Sequence, residues 1–297
     1  LGGSPAPKTR AELMDVVKKI KNGKALGSKH SFNTVADTTE SHISLVYLNK
    51  VLELDEKNGL VWVESGIRYG TLGKWLDARG YAIHNLASLP HISVMGASST
   101  ATHGSGDKNG NLSTAVAAIE LIKADGTSVL LDESNPKFYG AVVSLGALGV
   151  VYKVALKIQK RFDATQHVYE GLPMSALKDN FDKIFGSGYS VSLFTHWLDK
   201  NINQVWIKRR TDQNYEALPA KFFGAVPAST NLHPIKANSA VSCTDQMGVP
   251  GPWYERLPHF KMEFTPSNGA ELQSEFFVPR KHAYQAIMAI ESMHKEI

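Results

Sequence analysis

Ser98-Ser99-Thr100-Ala101-Thr102-His103-Gly104-Ser105-Gly106 is a run in which every residue but one is small or carries a hydroxyl group. Small side chains let a ligand approach the backbone closely. Successive backbone N–H groups in such turns form concavities that bind anions, and the hydroxyl groups would add further donors. The run therefore suits a pyrophosphate. A tight glycine-rich connection without a ligand has the same composition, and residue types alone leave both interpretations open.

Two common phosphate-binding motifs are missing from the sequence. Gly104 and Gly106 begin a G-x-G-x-x-G pattern, but Asn109 occupies the third glycine position, and a strand instead of a helix is predicted to follow. No G-x-x-x-x-G-K-[ST] pattern occurs. These observations argue against a Rossmann dinucleotide domain and against a P-loop enzyme.

The composition is that of an ordinary globular protein. The chain has 297 residues, 43% of them hydrophobic and 20% charged, a length that suggests about two domains. Its net charge of +4 is spread along the chain, which gives no case for nucleic acid binding. The single cysteine, Cys243, excludes a disulfide framework and a cysteine-based zinc cluster. The histidines lack metal-ligand spacing, and no apolar run approaches the roughly 20 residues of a membrane helix.

Sequence patterns in the first half predict a domain of sheet and helices. Thr9 and Glu12 form a capping box that opens a helix to about Lys21. Asn58-Gly59 and Asp125-Gly126 are hairpin turn signals. The predicted strands are Lys24–Leu26, Val51–Asp55, Leu60–Glu64, Tyr81–Asn85, Ala115–Ala124, Thr127–Leu131 and Val150–Gln159, with helices at Tyr69–Arg79 and Asn135–Ser144. Residues 86–111 show little periodicity.

The second half predicts a separate α+β domain. Its strands are expected at Val168–Gly171, Ser190–Leu198, Asn203–Arg209, Glu263–Phe264 and Ala270–Val278, with helices at Ser175–Ile184 and Arg280–Lys295. Residues 216–258, rich in Pro, Ala, Ser and Asn, are expected to run over the surface. We therefore predict domains at residues 1–160 and 161–297.

Three segments resemble the vanillyl-alcohol-oxidase type of FAD-binding oxidoreductase, in its alditol (xylitol/sorbitol) oxidase branch. They are Ala25–Asn33, Asn85–Asn111 and Gly269–Glu275. The resemblance covers essentially the whole chain and extends to the related sugar-lactone oxidases. It implies a two-subdomain FAD-binding domain followed by an α+β substrate (cap) domain. Family members have chain before Leu1 and a strand-rich segment after Ile297 that supplies catalytic Glu, Arg and Lys, so the resemblance implies that both domains here are incomplete.

The resemblance also assigns the cofactor contacts. His30 stands where the family attaches its flavin covalently, through the 8α-methyl carbon, although residue type alone favours an exposed loop histidine. The other expected FAD contacts are Ala25, Leu26, Gly27, Ser28, Lys29, Ser31, Ser93, Ser98, Ser99, Thr100, His103, Gly104, Gly106, Gly149, Val150 and Val151. No metal is implied.

For catalysis, the resemblance implies oxidation of a polyol at a terminal CH–OH, with hydride passing to flavin N5 and O₂ reduced to H₂O₂. Ser88 would hydrogen-bond the polyol, the small Ala87 would leave a path for O₂, and Gln273 would point into the active site from a strand. A sugar-lactone oxidase or dehydrogenase, and an FAD-binding fragment without turnover, are the alternatives. No signal peptide is recognisable, so a cytoplasmic enzyme is expected.

Overall fold

The computed structural model describes residues 4–264 and 273–296. The chain divides into two compact units. The first comprises Leu1–Gly104 and Gly110–Arg161, and the second comprises Ser105–Asn109 and Phe162–Ile297. Helices combine with mostly antiparallel sheets in both, which confirms the α+β class.

The first helix, α1, spans Arg10–Lys19 and begins as the capping pattern predicts. The Glu12 N–H donates to Thr9 Oγ1 at 3.2 Å, and Glu12 Oε2 accepts from the Lys8 N–H at 2.8 Å. These bonds satisfy donors that a helix start otherwise leaves unpaired. Leu13 and Val17 are buried on one face, in a cluster with Ile43, Leu45, Leu48, Ile122 and Val150.

A five-stranded antiparallel sheet forms the centre of the first unit, in the order β3-β4-β8-β6-β7. Both predicted hairpins are confirmed, because alternating apolar residues flank turns in which Gly59 and Gly126 take positive φ. The strands are β3 (Val51–Asp55), β4 (Leu60–Glu64), β6 (Val116–Ile122), β7 (Ser128–Asp132) and β8 (Val150–Lys157).

Smaller elements complete the first unit. β1 (Gly23–Leu26) pairs in parallel with β2 (Ser41–Ser44), and β5 (Tyr81–Ala82) pairs antiparallel with β9 (Gln159–Lys160). The other helices are α2 (Tyr69–Asp77), α3 (Val94–Ser99) and α4 (Phe138–Val142). α3 lies within the segment predicted to be irregular, so that prediction was wrong for these six residues.

The second unit is built on another antiparallel sheet, in the order β11-β12-β10-β13, with β14 also pairing with β10. Its strands are β10 (Asp163–Pro173), β11 (Ser190–Phe194), β12 (Asn201–Arg210), β13 (Val226–Pro227) and β14 (Gly251–Pro252). Its helices are α5 (Leu177–Phe185), α6 (Trp253–Arg256) and α7 (Ala283–Ser292). An apolar cluster joins the sheet to α5, and Tyr284 and Ile287 of α7 pack against it.

The long segment predicted to run over the surface is in part buried. Cys243, Trp253 and His259 are between 0% and 6% exposed. Buried side chains of the sheet hold this segment through its backbone carbonyls. Gln166 Nε2 donates to Thr244 O at 3.3 Å, Gln204 Nε2 donates to His233 O at 2.9 Å, and Lys208 Nζ donates to Leu257 O.

The predicted strands near the end of the chain were wrong where they can be examined. Glu263–Phe264 forms a turn and a loop, and residues 273–278 are not in a strand. Residues 270–272 of that prediction lie outside the described residues. Within the described part of the chain, no helix is long and apolar enough to cross a membrane.

Candidate functional site

The first predicted cofactor segment follows β1 and packs directly on the second. A Cβ atom at Gly27 would lie 2.2 Å from Ser93 Oγ, so any other residue would require the Ser93 side chain to move. The Ser93 N–H donates to Ser28 Oγ at 3.2 Å. Ala25 and Leu26 lie half-buried in β1, whereas Lys29 and Ser31 are exposed.

The second segment runs through α3, and its hydroxyl groups are used within that helix. Ser98 Oγ donates to Val94 O at 2.9 Å, Ser99 Oγ donates to Met95 O at 2.8 Å, and Thr100 Oγ1 donates to Gly96 O at 3.1 Å. Ser98 is fully buried. The hydroxyl protons of Ser98, Ser99 and Thr100 therefore serve the helix, and backbone N–H groups become the better candidates for donors to a phosphate.

Beyond α3 the chain packs tightly on the preceding loop. A Cβ atom at Gly104 would lie 2.2 Å from the backbone oxygen of Leu86 and 2.8 Å from the Asn85 carboxamide. His103 Nδ1 lies 2.8 Å from Gly104 O. Gly104 is therefore required by backbone packing whether or not a ligand is bound.

Residues 145–151, which include the expected contacts Gly149, Val150 and Val151, form a further segment that is tied to the second one in the same unit. The Leu145 N–H donates to Ser99 O at 3.1 Å. A Cβ atom at Gly149, which has φ of 139°, would lie 2.3 Å from Ile122 O. Val150 and Val151 follow as buried residues of β8. Three of the segments expected to contact the cofactor thus lie together in the first unit.

Each of these three segments holds one non-glycine residue in the left-handed region. Lys29 has φ of 59°, Ala101 of 55° and Leu145 of 53°. Such conformations cost about 1–3 kcal/mol each and concentrate at functional sites. Together with the glycines whose Cβ positions are filled by neighbouring atoms, they describe a backbone shaped for close contact. The residues present therefore fit a cofactor held mainly by main-chain groups.

His30 lies half-buried in the first segment, one residue after the left-handed Lys29. Its ring packs edge-on against Phe32, with centroids 5.3 Å apart and an interplanar angle of 76°. An aromatic contact of this kind limits the orientations of the imidazole. Sequence reasoning did not single out Phe32, whose position two residues after His30 was the available signal.

The remaining predicted residues are not all in this unit. Ser88 is exposed and follows the buried Ala87 in the first unit. Gln273 is exposed and belongs to the second unit. Gly106 also belongs to the second unit, where its Cβ would lie 2.4 Å from Tyr189 O, so its smallness is explained by packing there.

Tyr69 is a buried neighbour of the second segment that sequence reasoning missed. Burial raises the pKa of its hydroxyl to about 12, and a hydrogen bond with Ser98 opposes this shift. Its N–H donates to Ile92 O at 3.1 Å. In the sequence, Tyr69 is simply the first residue of a predicted short helix, and nothing there indicated its burial next to Ser98. Among the described residues, no group of three His, Cys, Asp or Glu side chains could hold a metal ion.

Comparison with known proteins agrees with this geometry. Residues 5–132 match the family described as FAD binding domain. The chain is 45% identical over 294 residues to the alditol oxidase of Streptomyces sp. (strain IKD472 / FERM P-14339), covering 98% of this chain and 69% of that enzyme. The chain belongs to this family of FAD-binding oxidoreductases. The predicted family and fold type are confirmed.

Lactone-oxidising enzymes are more distant relatives of this chain. The L-gulono-1,4-lactone dehydrogenase of Mycobacterium tuberculosis (strain ATCC 25618 / H37Rv) is 37% identical over 165 residues, covering 54% of this chain and 38% of that enzyme. The L-gulonolactone oxidase of Mus musculus is 36% identical over 166 residues, covering 55% of this chain and 37% of that enzyme. These matches extend over little more than half of the chain, whereas the match to the alditol oxidase extends over nearly all of it.

Proposed function

We propose that this chain acts as an FAD-dependent alditol oxidase. Such an enzyme oxidises a polyol such as xylitol or sorbitol at a terminal CH–OH and reduces O₂ to H₂O₂. The observation that carries the proposal is the 45% identity to an alditol oxidase over 98% of the chain. The chain's own contribution is to hold the cofactor and position the carbinol.

The cofactor would be held by the three packed segments of the first unit. Bound FAD supplies the hydride acceptor and transfers electrons to O₂. Backbone N–H groups near Gly27 and Gly104 would face the pyrophosphate, because the hydroxyl protons of α3 are already donated within the helix. Val150 and Val151 would lie along the ring systems at the start of β8.

On the substrate side, the exposed Ser88 hydroxyl would hydrogen-bond the polyol. The small Ala87 beside it would leave access for O₂, and Gln273 would contribute a carboxamide from the second unit. A cytoplasmic location remains our prediction, which cell fractionation would test.

We further propose that His30 attaches the flavin covalently. A neutral imidazole nitrogen is a competent nucleophile toward the electron-poor 8α carbon of the cofactor. The new C–N bond would replace one C–H bond of the methyl group, and the two electrons released would pass through the flavin to O₂ and give H₂O₂. The edge contact with Phe32 supports this role, because it restricts the ring of a histidine on a loop. We expect acid-precipitated protein to keep its flavin fluorescence on a denaturing gel and His30→Ala to lose it. His84→Ala, at another half-buried histidine of the same unit that is not among the expected FAD contacts, is the matched control and should keep the fluorescence. Flavin lost from the denatured wild type would exclude covalent attachment.

The substrate class is tested by H₂O₂ release. Xylitol and sorbitol should give peroxide, and gulono- or galactonolactones should give little. Turnover of lactones alone would overturn the proposed function in favour of the lactone-oxidising relatives. A yellow protein that no polyol bleaches would support FAD binding without turnover.

A further inference from the structure

Asn85 is a buried amide to which the proposed function gives no role. It is 1% exposed and lies three residues after β5, in the stretch of chain that leads to Ser88. Its Oδ1 accepts from the Leu86 N–H at 2.9 Å. Buried polar side chains are hydrogen-bonded as a rule, and this bond holds the peptide that follows Asn85 in one orientation.

The same carboxamide lies against the glycine-rich run at residues 98–104. A Cβ atom at Gly104 would lie 2.8 Å from Asn85 Nδ2 and 2.8 Å from Asn85 Oδ1. It would also lie 2.2 Å from Leu86 O. Asn85 through its side chain and Leu86 through its main chain therefore contact the same glycine.

The glycine-rich run is itself anchored just before this contact. The Thr102 N–H donates to Ala97 O at 3.0 Å, and Thr102 O accepts from the Leu112 N–H at 2.9 Å. Leu112 is fully buried. Residues 85–88 and 97–104 all belong to the first unit, so the contact lies within one compact body.

Residues 86–88 include the groups expected to meet the substrate. Leu86 and Ala87 are buried, whereas Ser88 is exposed. Because Ser88 follows Asn85 by only three positions, the place of its hydroxyl depends on how firmly the start of this short segment is held. A misplacement of about 1 Å can slow an enzymatic reaction about 100-fold.

We propose that Asn85 is a positioning residue that holds residues 86–88 on the glycine-rich run and so sets the place of the polyol carbinol relative to the flavin. The proposal rests on the proposed function for the role of Ser88. The hold on residues 86–88 does not depend on that role and is measured without a substrate. Loss of positioning lowers the rate at which bound substrate reacts and leaves substrate affinity largely unchanged.

The first test is hydrogen–deuterium exchange in the FAD-loaded protein. Asn85→Ala removes the acceptor of the Leu86 N–H, so exchange within residues 86–88 should become at least about tenfold faster. Val61→Ala, at a fully buried position of β4, is the control for a general loss of stability and should leave this exchange within about twofold of the parent. Unchanged exchange in Asn85→Ala would overturn the proposal, whether or not polyols are oxidised.

The second test separates the two half-reactions. Anaerobic bleaching of the flavin by saturating xylitol should be about thirtyfold slower in Asn85→Ala. The xylitol Kd should stay within about threefold, and reoxidation by O₂, which does not involve the polyol, within about twofold. Asn85→Asp keeps an oxygen acceptor for the Leu86 N–H, so its bleaching rate should lie between those of the parent and Asn85→Ala.

A parental bleaching rate in Asn85→Ala, or equal slowing in Val61→Ala, would overturn the proposal. If Asn85→Ala does not fold, Asn85→Leu removes the same acceptor while keeping the branched shape, and the same expectations apply to it. If lactones bleach the parent and polyols do not, the proposed function has failed, and the positioning role is then read from the same rates with the lactone.

Discussion

The two irregular regions of this protein are held in opposite ways. In the first unit, the predicted cofactor segments pack closely at glycines, where a Cβ atom at Gly27 would lie 2.2 Å from the Ser93 hydroxyl and one at Gly104 would lie 2.2 Å from the Leu86 carbonyl oxygen. In the second unit, the long segment beneath the sheet is held by side chains, since Gln166, Gln204 and Lys208 donate to its carbonyl oxygens.

The difference separates a site that fits a ligand from a region that serves the fold. In the second region, polar side chains of the sheet donate hydrogen bonds to carbonyl oxygens of the long segment. Each such bond stabilises the fold by about 1 kcal/mol net. Left-handed non-glycine residues do not distinguish the two regions, since Lys29 and Ala101 in the first have counterparts in Phe223 and Met247 in the second.

The largest expected effect comes from adding one methyl group to the first region. Gly104→Ala places a Cβ atom 2.2 Å from the Leu86 carbonyl, and a backbone atom has no flexible end that can move away. We expect at least about 3 kcal/mol of lost stability and little bound flavin. Absorbance of bound flavin and thermal melting measure both.

Gly140→Ala is the matched control, because Gly140 lies in α4 with nothing within 4 Å of its Cβ position. It should leave flavin content unchanged and raise stability by about 0.5–1 kcal/mol. Full flavin occupancy in Gly104→Ala would contradict the prediction, because it would show that flavin binding does not require the close contact between Gly104 and the Leu86 carbonyl.

The second effect is a pH dependence at Lys208. Burial lowers the pKa of its ammonium group from 10.5 to about 7. Below pH 7 the folded protein carries a buried charge, and between pH 7 and 10.5 the unfolded chain binds a proton that the folded protein has lost. Lys208 should therefore contribute wild-type stability that rises with pH across this window.

Lys208→Met should remove this slope. Its stability relative to the wild type should be highest below pH 7 and fall toward pH 10, by an amount of the order of 4 kcal/mol. Burial lowers the pKa of the neighbouring His259 well below its usual value and raises that of Cys243 to about 11, so neither charges within most of the window. Urea titrations between pH 6 and 10 measure the difference. A constant gap between the two proteins would contradict the prediction.

A smaller loss is expected from the amide that holds the second region. Gln166 is fully buried, and its Nε2 donates to Thr244 O at 3.3 Å and Thr244 Oγ1 at 3.2 Å. Gln166→Met keeps the volume but removes the donor to Thr244 O, whereas Thr244 Oγ1 keeps its bond to Pro258 O at 2.7 Å. The change should cost about 1–3 kcal/mol. The exposed Gln213→Met is its control, with a change within about 0.5 kcal/mol in urea unfolding. Equal midpoints for the two variants would refute the importance of the buried amide.

The smallest effect is a gain. Lys29 has φ of 59°, so Lys29→Gly should stabilise the first unit by about 1 kcal/mol, whereas Lys29→Ala should not. Thermal melting of the three proteins tests this, and a melting temperature for Lys29→Gly at or below that of Lys29→Ala would contradict the strain interpretation.

Sequence patterns correctly predicted those helices and strands whose formation depends on interactions between residues close together in the chain. The hairpin of β3 and β4 was placed at its observed bounds, because alternation and an Asn-Gly turn act within a few residues. α3 was missed because Gly96, Ala97 and Ser98 give no apolar periodicity. The helix is stabilised by hydrogen bonds to residues distant in the sequence, such as the one from the Val94 N–H to Ile67 O at 2.8 Å.

Burial of polar residues was the other source of error. The first half of β10 was missed because Gln166 and His167 interrupt the strand pattern, although Gln166 is buried. The amide partners that bury residues 216–258 come from distant strands, which no local pattern reveals. The cofactor segments were found through their resemblance to a family, since composition alone left the glycine-rich run undecided.

The packing of residues 105–109 has a genetic consequence. The chain passes between the two units three times, after Gly104, after Asn109 and after Arg161. The second unit is therefore not encoded by one continuous stretch of gene. Exchange of residues 162–297 between relatives would separate Arg280 from Asp107, its ion-pair partner at 3.5 Å, so a functional chimera must transfer the five-residue insert with the unit that it completes.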